Sequence, residues 1–100
     1  MDTNFSLQDA FQFYQQGNRL KARQICQELL QKRPGDPNTR HFQAILTADD
    51  GNPEEAIKSL REIAAEMPGD SRVYRTLGRV LVRAGRLGEA IAATETALRL

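Results

Sequence analysis

Apolar side chains return along this chain every three or four residues, the spacing that gathers them on one face of an α-helix. Ala22, Ile25, Cys26 and Leu29 follow the i, i+3, i+4, i+7 pattern, and Ala56, Leu60, Ile63 and Met67 trace a similar face. Ala90, Ile91, Thr94, Ala97 and Leu98 make a third stripe, in which the threonine is the weak member. The segments between are less uniform. Leu7, Ala10, Phe11 and Tyr14 form one face, Phe42, Ile45 and Leu46 another, and Val73, Tyr74, Leu77, Val80, Leu81 and Ala84 the strongest. Together they predict six helices, near 7–16, 19–33, 37–49, 53–67, 71–84 and 87–100.

The same pattern repeats at a fixed distance. Gly17, Gly51 and Gly85 are each 34 residues apart, as are Ala22, Ala56 and Ala90. Pro34 and Pro68 keep that spacing, and Asp36 and Asp70 follow them by two. The glycines fall between paired helices, where a left-handed residue ends the first of each pair. Asp36-Pro37 sets a capping side chain ahead of a proline that misses no amide donor, and Asn52-Pro53 is expected to do the same. Glu54 and Glu55 add acids near the positive end of that helix. Ser6-Leu7-Gln8-Asp9 approximates a capping box with Asp in the usual Glu position. Three helical hairpins result, over about residues 3–36, 37–70 and 71–100 of a single array.

At these positions the chain resembles the tetratricopeptide-repeat family, whose 34-residue pattern is W-x2-L-G-x2-Y…A-x3-F…P. The third repeat fits best, with Tyr74-x2-Leu77-Gly78-x2-Leu81 and then Ala90. The first carries Ala10-x2-Phe13, Ala22-x3-Cys26 and Pro34; the second carries Ala44-x2-Thr47, Ala56-x3-Leu60 and Pro68. Asp9 and Gln43 depart from apolar columns, and Ser6 and Arg40 replace the large aromatic. The resemblance implies an all-α, right-handed superhelix of three antiparallel helix-turn-helix units, and a protein-binding scaffold rather than an enzyme.

Composition narrows the function further. Fourteen basic and thirteen acidic residues give a net charge of +1, without the concentrated basic surface that non-specific nucleic-acid binding requires. No apolar run approaches the roughly 20 residues that span a bilayer, and the start of the chain lacks the basic-then-apolar order of a secretory signal. A soluble, cytoplasmic protein is expected. Cys26 and His41 are the sole members of their types, so metal-ligand spacing is absent and no cofactor is implied. Cys26 lies on an apolar stripe, where a small thiol serves packing.

Charge is unevenly spread: residues 1–36 carry +1, 37–70 carry −4 and 71–100 carry +4. Arg72, Arg75, Arg79 and Arg83 fall on one stripe of one helix. In the family the first helices line a concave groove, so the resemblance puts these arginines there, with Leu7, Phe11, Tyr14, His41, Ile45 and Asp49 sharing it by register. Two readings follow. The stripe holds carboxylates or phosphates of a bound protein segment through arginine's planar donor fork. Alternatively it is a solvated face, partly neutralised by Asp49 and Asp50. The terminal-carboxylate clamp of some family members is not expected, because Leu7, Phe11, Phe42 and Thr76 stand at comparable positions and Arg72 alone fits.

Two further functions compete with the groove scaffold. Repeat arrays similar to the first two repeats precede glycosyl- or sulfotransferase domains in bacteria, so the chain is read alternatively as a recruiting arm of a longer enzyme. The third is self-association. Ala84, Leu87, Ile91 and Leu98 continue one apolar side at the last helix, and the repeat stops two residues before its expected proline. The chain is therefore expected to be part of a longer protein and, in isolation, to pair two-fold through that helix.

Overall fold

The computed structural model describes residues 4–100; Met1–Thr3, where the first repeat is expected to open, lie outside the described residues. Six helices follow in order: α1 (Leu7–Gln15), α2 (Arg19–Lys32), α3 (Pro37–Asp49), α4 (Pro53–Glu66), α5 (Ser71–Arg83) and α6 (Leu87–Arg99). Every boundary falls within one residue of the sequence expectation, and the described residues contain no strand. The architecture is a tetratricopeptide-like solenoid of helical hairpins.

Local chemistry explains the boundaries. Gly17, Gly51 and Gly85 adopt φ of 84°, 90° and 76°, the left-handed conformation that turns the chain inside each hairpin. The Ser6 hydroxyl accepts from the Asp9 amide at 3.2 Å while the Asp9 carboxylate accepts from the Ser6 amide at 2.8 Å, completing the capping box. This role accounts for an acid where the third repeat carries Leu77. Asp36 caps α3 through the Thr39 amide at 3.1 Å. Asn18 and Asp70 cap α2 and α5 through the amides of Lys21 and Arg72, which the spacing of apolar residues does not announce. Asn52 departs from expectation, since its side chain makes no cap hydrogen bond. There Pro53 removes one of the amide donors, and Glu54 and Glu55 supply negative charge to the first turn.

Packing is closest within the hairpins α1–α2, α3–α4 and α5–α6, while α2–α3 and α4–α5 join one hairpin to the next. The resulting stack is elongated, 46 × 25 × 19 Å. Its core has two clusters that meet at α3. Phe42 and Leu46 bury against Ala10, Ala22, Ile25 and Cys26, whereas Ala44 and Ala48 join Ala56, Ile57, Leu60 and Ile63 and the apolar face of α5. Arg40, in the aromatic column, bonds Glu66 at 2.8 Å and ties the start of α3 to the end of α4. Arg86 similarly bridges Glu54 at 2.7 Å and Glu89 at 2.6 Å, but such exposed pairs each contribute little.

In the last hairpin the apolar stripe of the second helix divides between two faces. Ala90 and Ala93 turn inward and are buried, while Ile91 and Leu98, assigned to the same stripe as Ala90, are exposed. Their column is covered elsewhere by the next repeat's first helix. Ala84 also departs from the expected exposed side, because it packs partly buried against the second core cluster.

Gly78 allows α5 and α6 to approach closely. A Cβ built on it would stand 2.7 Å from Thr94 Oγ1, which itself donates to the Ala90 carbonyl at 2.9 Å. Replacing a helical glycine by alanine ordinarily stabilises, so the clash decides the sign. Gly78→Ala should lower stability by about 1–3 kcal/mol, and adding Thr94→Ala should recover much of the loss. Urea unfolding of the single and double variants measures both; a stabilised single variant would contradict the close-approach role.

Candidate functional site: a groove along the first helices

The first helix of each hairpin contributes one wall or floor of a shallow groove. Leu7, Gln8 and Phe11 of α1, Asn38, His41, Phe42 and Ile45 of α3, and Arg72 of α5 enclose a concavity of about 480 Å³. A second, of about 150 Å³, continues from Ile45 to Tyr14, Ala48, Asp49, Thr76, Arg79, Val80 and Arg83. Nine of the ten residues expected in the groove line one or the other. Arg75 lies outside both. Sequence reasoning missed Gln8, Asn38, Phe42, Ala48, Thr76 and Val80 as lining residues; Asn38 was discoverable as the counterpart of Arg72 one 34-residue period earlier.

Aromatic packing builds the apolar end. Phe11, Tyr14 and Phe42 form a triangle of rings with centroids 5.6–6.4 Å apart, Phe42 edge-on to the other two. Phe42 is buried beneath, and Phe11 remains 47% exposed, which leaves an aromatic face open to the groove.

The polar end has a built ion cluster. Tyr14 Oη donates to Asp49 Oδ2, and Arg83 donates to Asp49 Oδ1 at 2.6 Å. Burial opposes the Asp49 charge, but the hydrogen bonds from Tyr14 and Arg83 and the nearby guanidiniums overcome it and hold the carboxyl below its ordinary range. Asp50 does not join the stripe; it pairs with Arg23 of α2. At the other end Arg72 bonds Asp70 at 2.9 Å and Asn38 at 3.3 Å. The arginine stripe is thus neutralised at both ends. Among the described residues Arg75 and Arg79 make no ion pair, and of these two only Arg79 faces the groove.

His41 sits midway, its Nε2 2.8 Å from the Oγ1 of buried Thr76. This bond joins α3 to α5 across the groove floor. Cys26 lies on the far side of the fold in the first core cluster, where burial pushes its thiol up to about 11 and leaves it unreactive at neutral pH. The described residues hold no group of His, Cys, Asp and Glu suited to a metal ion.

The Tetratricopeptide repeat family model matches residues 48–100, just over half of the chain. The chain belongs to the tetratricopeptide-repeat family. A search of curated proteins finds no match. The matched span covers the end of α3 through α6, the part of this tetratricopeptide-repeat array where the motif columns are best kept. Such repeats generally mediate protein–protein interaction. No helix of the described residues is long and apolar enough to cross a membrane.

The burial of His41 bears on how stability depends on pH. Burial pushes its imidazole below the ordinary value of 6.5, with Arg72 and Arg79 acting in the same direction against Asp70. A depressed folded-state pKa means that its stabilising contribution is complete above 6.5 and is lost as pH falls through the folded value. The ring signal in an NMR titration should therefore have its midpoint below 6.5. His41→Gln should flatten stability in that window while leaving the acid limb set by Asp49 and the other carboxylates; an unshifted midpoint would remove the basis for it.

Proposed function

We propose that this tetratricopeptide-repeat array is a non-catalytic scaffold whose groove along α1, α3 and α5 binds an extended protein segment carrying an apolar and an acidic side chain. The supporting observation is the unequal character of the two joined concavities. One is floored by Leu7, Phe11 and Ile45, and the other presents Arg79 without an acidic partner. An apolar side chain loses exposed area in the first, and a carboxylate gains charge-assisted hydrogen bonds in the second.

Geometry sets the spacing. Packed helices lie roughly 8–10 Å apart, and an extended chain advances about 3.3–3.6 Å per residue. An apolar residue seated between α1 and α3 therefore places an acid at Arg79 about three residues along the ligand. Arg72 and Arg83 serve differently: already paired with Asp70 and Asp49, they shape the groove ends and cost a ligand their existing bonds.

Peptides selected from a random library against the chain should converge on an apolar and an acidic residue at that separation. For such a peptide, Arg79→Ala should weaken binding by roughly 1.5–3 kcal/mol, and Arg72→Ala by less than about 1 kcal/mol. Isothermal titration of the two variants distinguishes them. Equal losses, or none at Arg79, would leave the arginines as a solvated face.

A further inference from the structure

His41 stands where the two concavities of the groove meet. Its half-buried ring lines the first, and Thr76, 5% exposed, lines the second. Their bond at 2.8 Å forms the threshold between them. The Thr76 hydroxyl is not used as most helical threonines of this fold use theirs. Thr47, Thr94 and Thr96 each donate to the carbonyl four residues back, at 2.9–3.0 Å. Among the described residues Thr76 bonds His41 instead of the Arg72 carbonyl. Its proton is thus left for Nε2, and a ring that accepts there is neutral.

The charges around the ring come from one side. α5 and its cap bring Arg72, Arg79 and Asp70. α1 brings Leu7, Gln8 and Phe11, while α2 and α4 meet α3 through Phe42, Leu46, Ala44 and Ala48. Asp70 is engaged by Arg72 and Asp49 by Arg83, which leaves Arg79 as the groove cation without a carboxylate. Burial, then Arg72 and Arg79, oppose a charge on His41, and Asp70 favours it. A carboxylate set on Arg79 cancels one of these repulsions and adds an attraction.

We propose that His41 takes up a proton from solvent when a carboxylate of the bound segment docks on Arg79, so that the groove holds acidic segments more tightly as pH falls. This rests on the groove reading above and adds its regulation. In the charged state Nε2 donates to Thr76 Oγ1, and the Thr76 proton turns to the Arg72 carbonyl, the arrangement that Thr47, Thr94 and Thr96 already have. Both states therefore keep the buried hydroxyl bonded. Because the ligand favours the charged ring, linkage requires that protons favour the ligand. Affinity rises as pH falls through the ring's midpoint in the complex and levels off below its midpoint in the free chain. A ligand glutamate stays ionised down to about pH 4–5, so it is not the group that titrates.

The probe is a synthetic peptide, acetylated and amidated, carrying Leu and Glu about three residues apart, with a copy in which Gln replaces the Glu. The His41 ring is followed by NMR across pH in the free chain and with each peptide in excess. The Glu peptide should raise the ring's midpoint, and its Kd should fall roughly three- to tenfold from about pH 7.5 to about pH 5.5. The Gln peptide should move neither. His41→Gln should flatten the dependence of Kd on pH. Thr76→Val, of the same shape but with no oxygen to accept from the charged ring, should diminish the midpoint shift. A bound Glu peptide with the His41 midpoint unmoved, or with the same shift in Thr76→Val, would overturn the proposal and leave the groove reading standing. No binding of the Glu peptide at either pH would end both.

Discussion

The second helix of the middle repeat, α4, carries two adjoining apolar faces, and the first helix of its own hairpin can cover only one of them. In α4, Ala56 and Ile63 lie on one face, Ile57 and Ala64 on the other, and Leu60 between; all are buried because α3 and α5 flank them. The hairpins therefore cannot be independent units. Burial of each second helix depends on the following repeat, and that dependence brings first helices side by side and creates the groove. The 34-residue spacing is the chemical trace of this requirement, since each column must meet the same neighbour again.

The groove inherits its character from what the packing leaves over. Phe11 is half exposed because Phe42 takes the buried place in the aromatic triangle. Arg72 and Arg83 are held by carboxylates that lie one helix or one turn away, so a run of four arginines becomes a narrower cationic feature centred on Arg79. Hydrogen bonds across repeats, Tyr14 to Asp49 to Arg83 and His41 to Thr76, cross-link the three first helices where apolar contact between them is thin. These polar links span the groove between first helices whose apolar faces are buried against the second helices.

Several departures from the repeat pattern have local causes. Ser6 and Asp9 abandon the apolar columns to cap α1, and Arg40 abandons the aromatic one to bond Glu66. Phe5, just ahead of α1, packs edge-on against Phe13 with ring centroids 5.8 Å apart. The family match beginning at residue 48 fits this gradient, with the best-kept columns in the third repeat.

Helix existence, helix ends and hairpin pairing were legible in the chain because they follow from short-range rules. Apolar spacing, left-handed glycines and prolines act within a few residues and need no knowledge of neighbours. The groove's membership was legible for nine of ten residues for a related reason: register within a 34-residue period fixes which side of each first helix faces inward. Charge was legible only in part. Asp49 pairs with Arg83 of the stripe, as its position one period earlier allowed, whereas Asp50, adjacent in sequence, points to α2 and pairs with Arg23. Apolar spacing alone put Ala90 and Ile91 on one stripe; the stacking of α6 on α5 buries the first and turns the second outward. A sequence determines which faces of a helix are apolar, but the number of neighbours determines how many of them are covered.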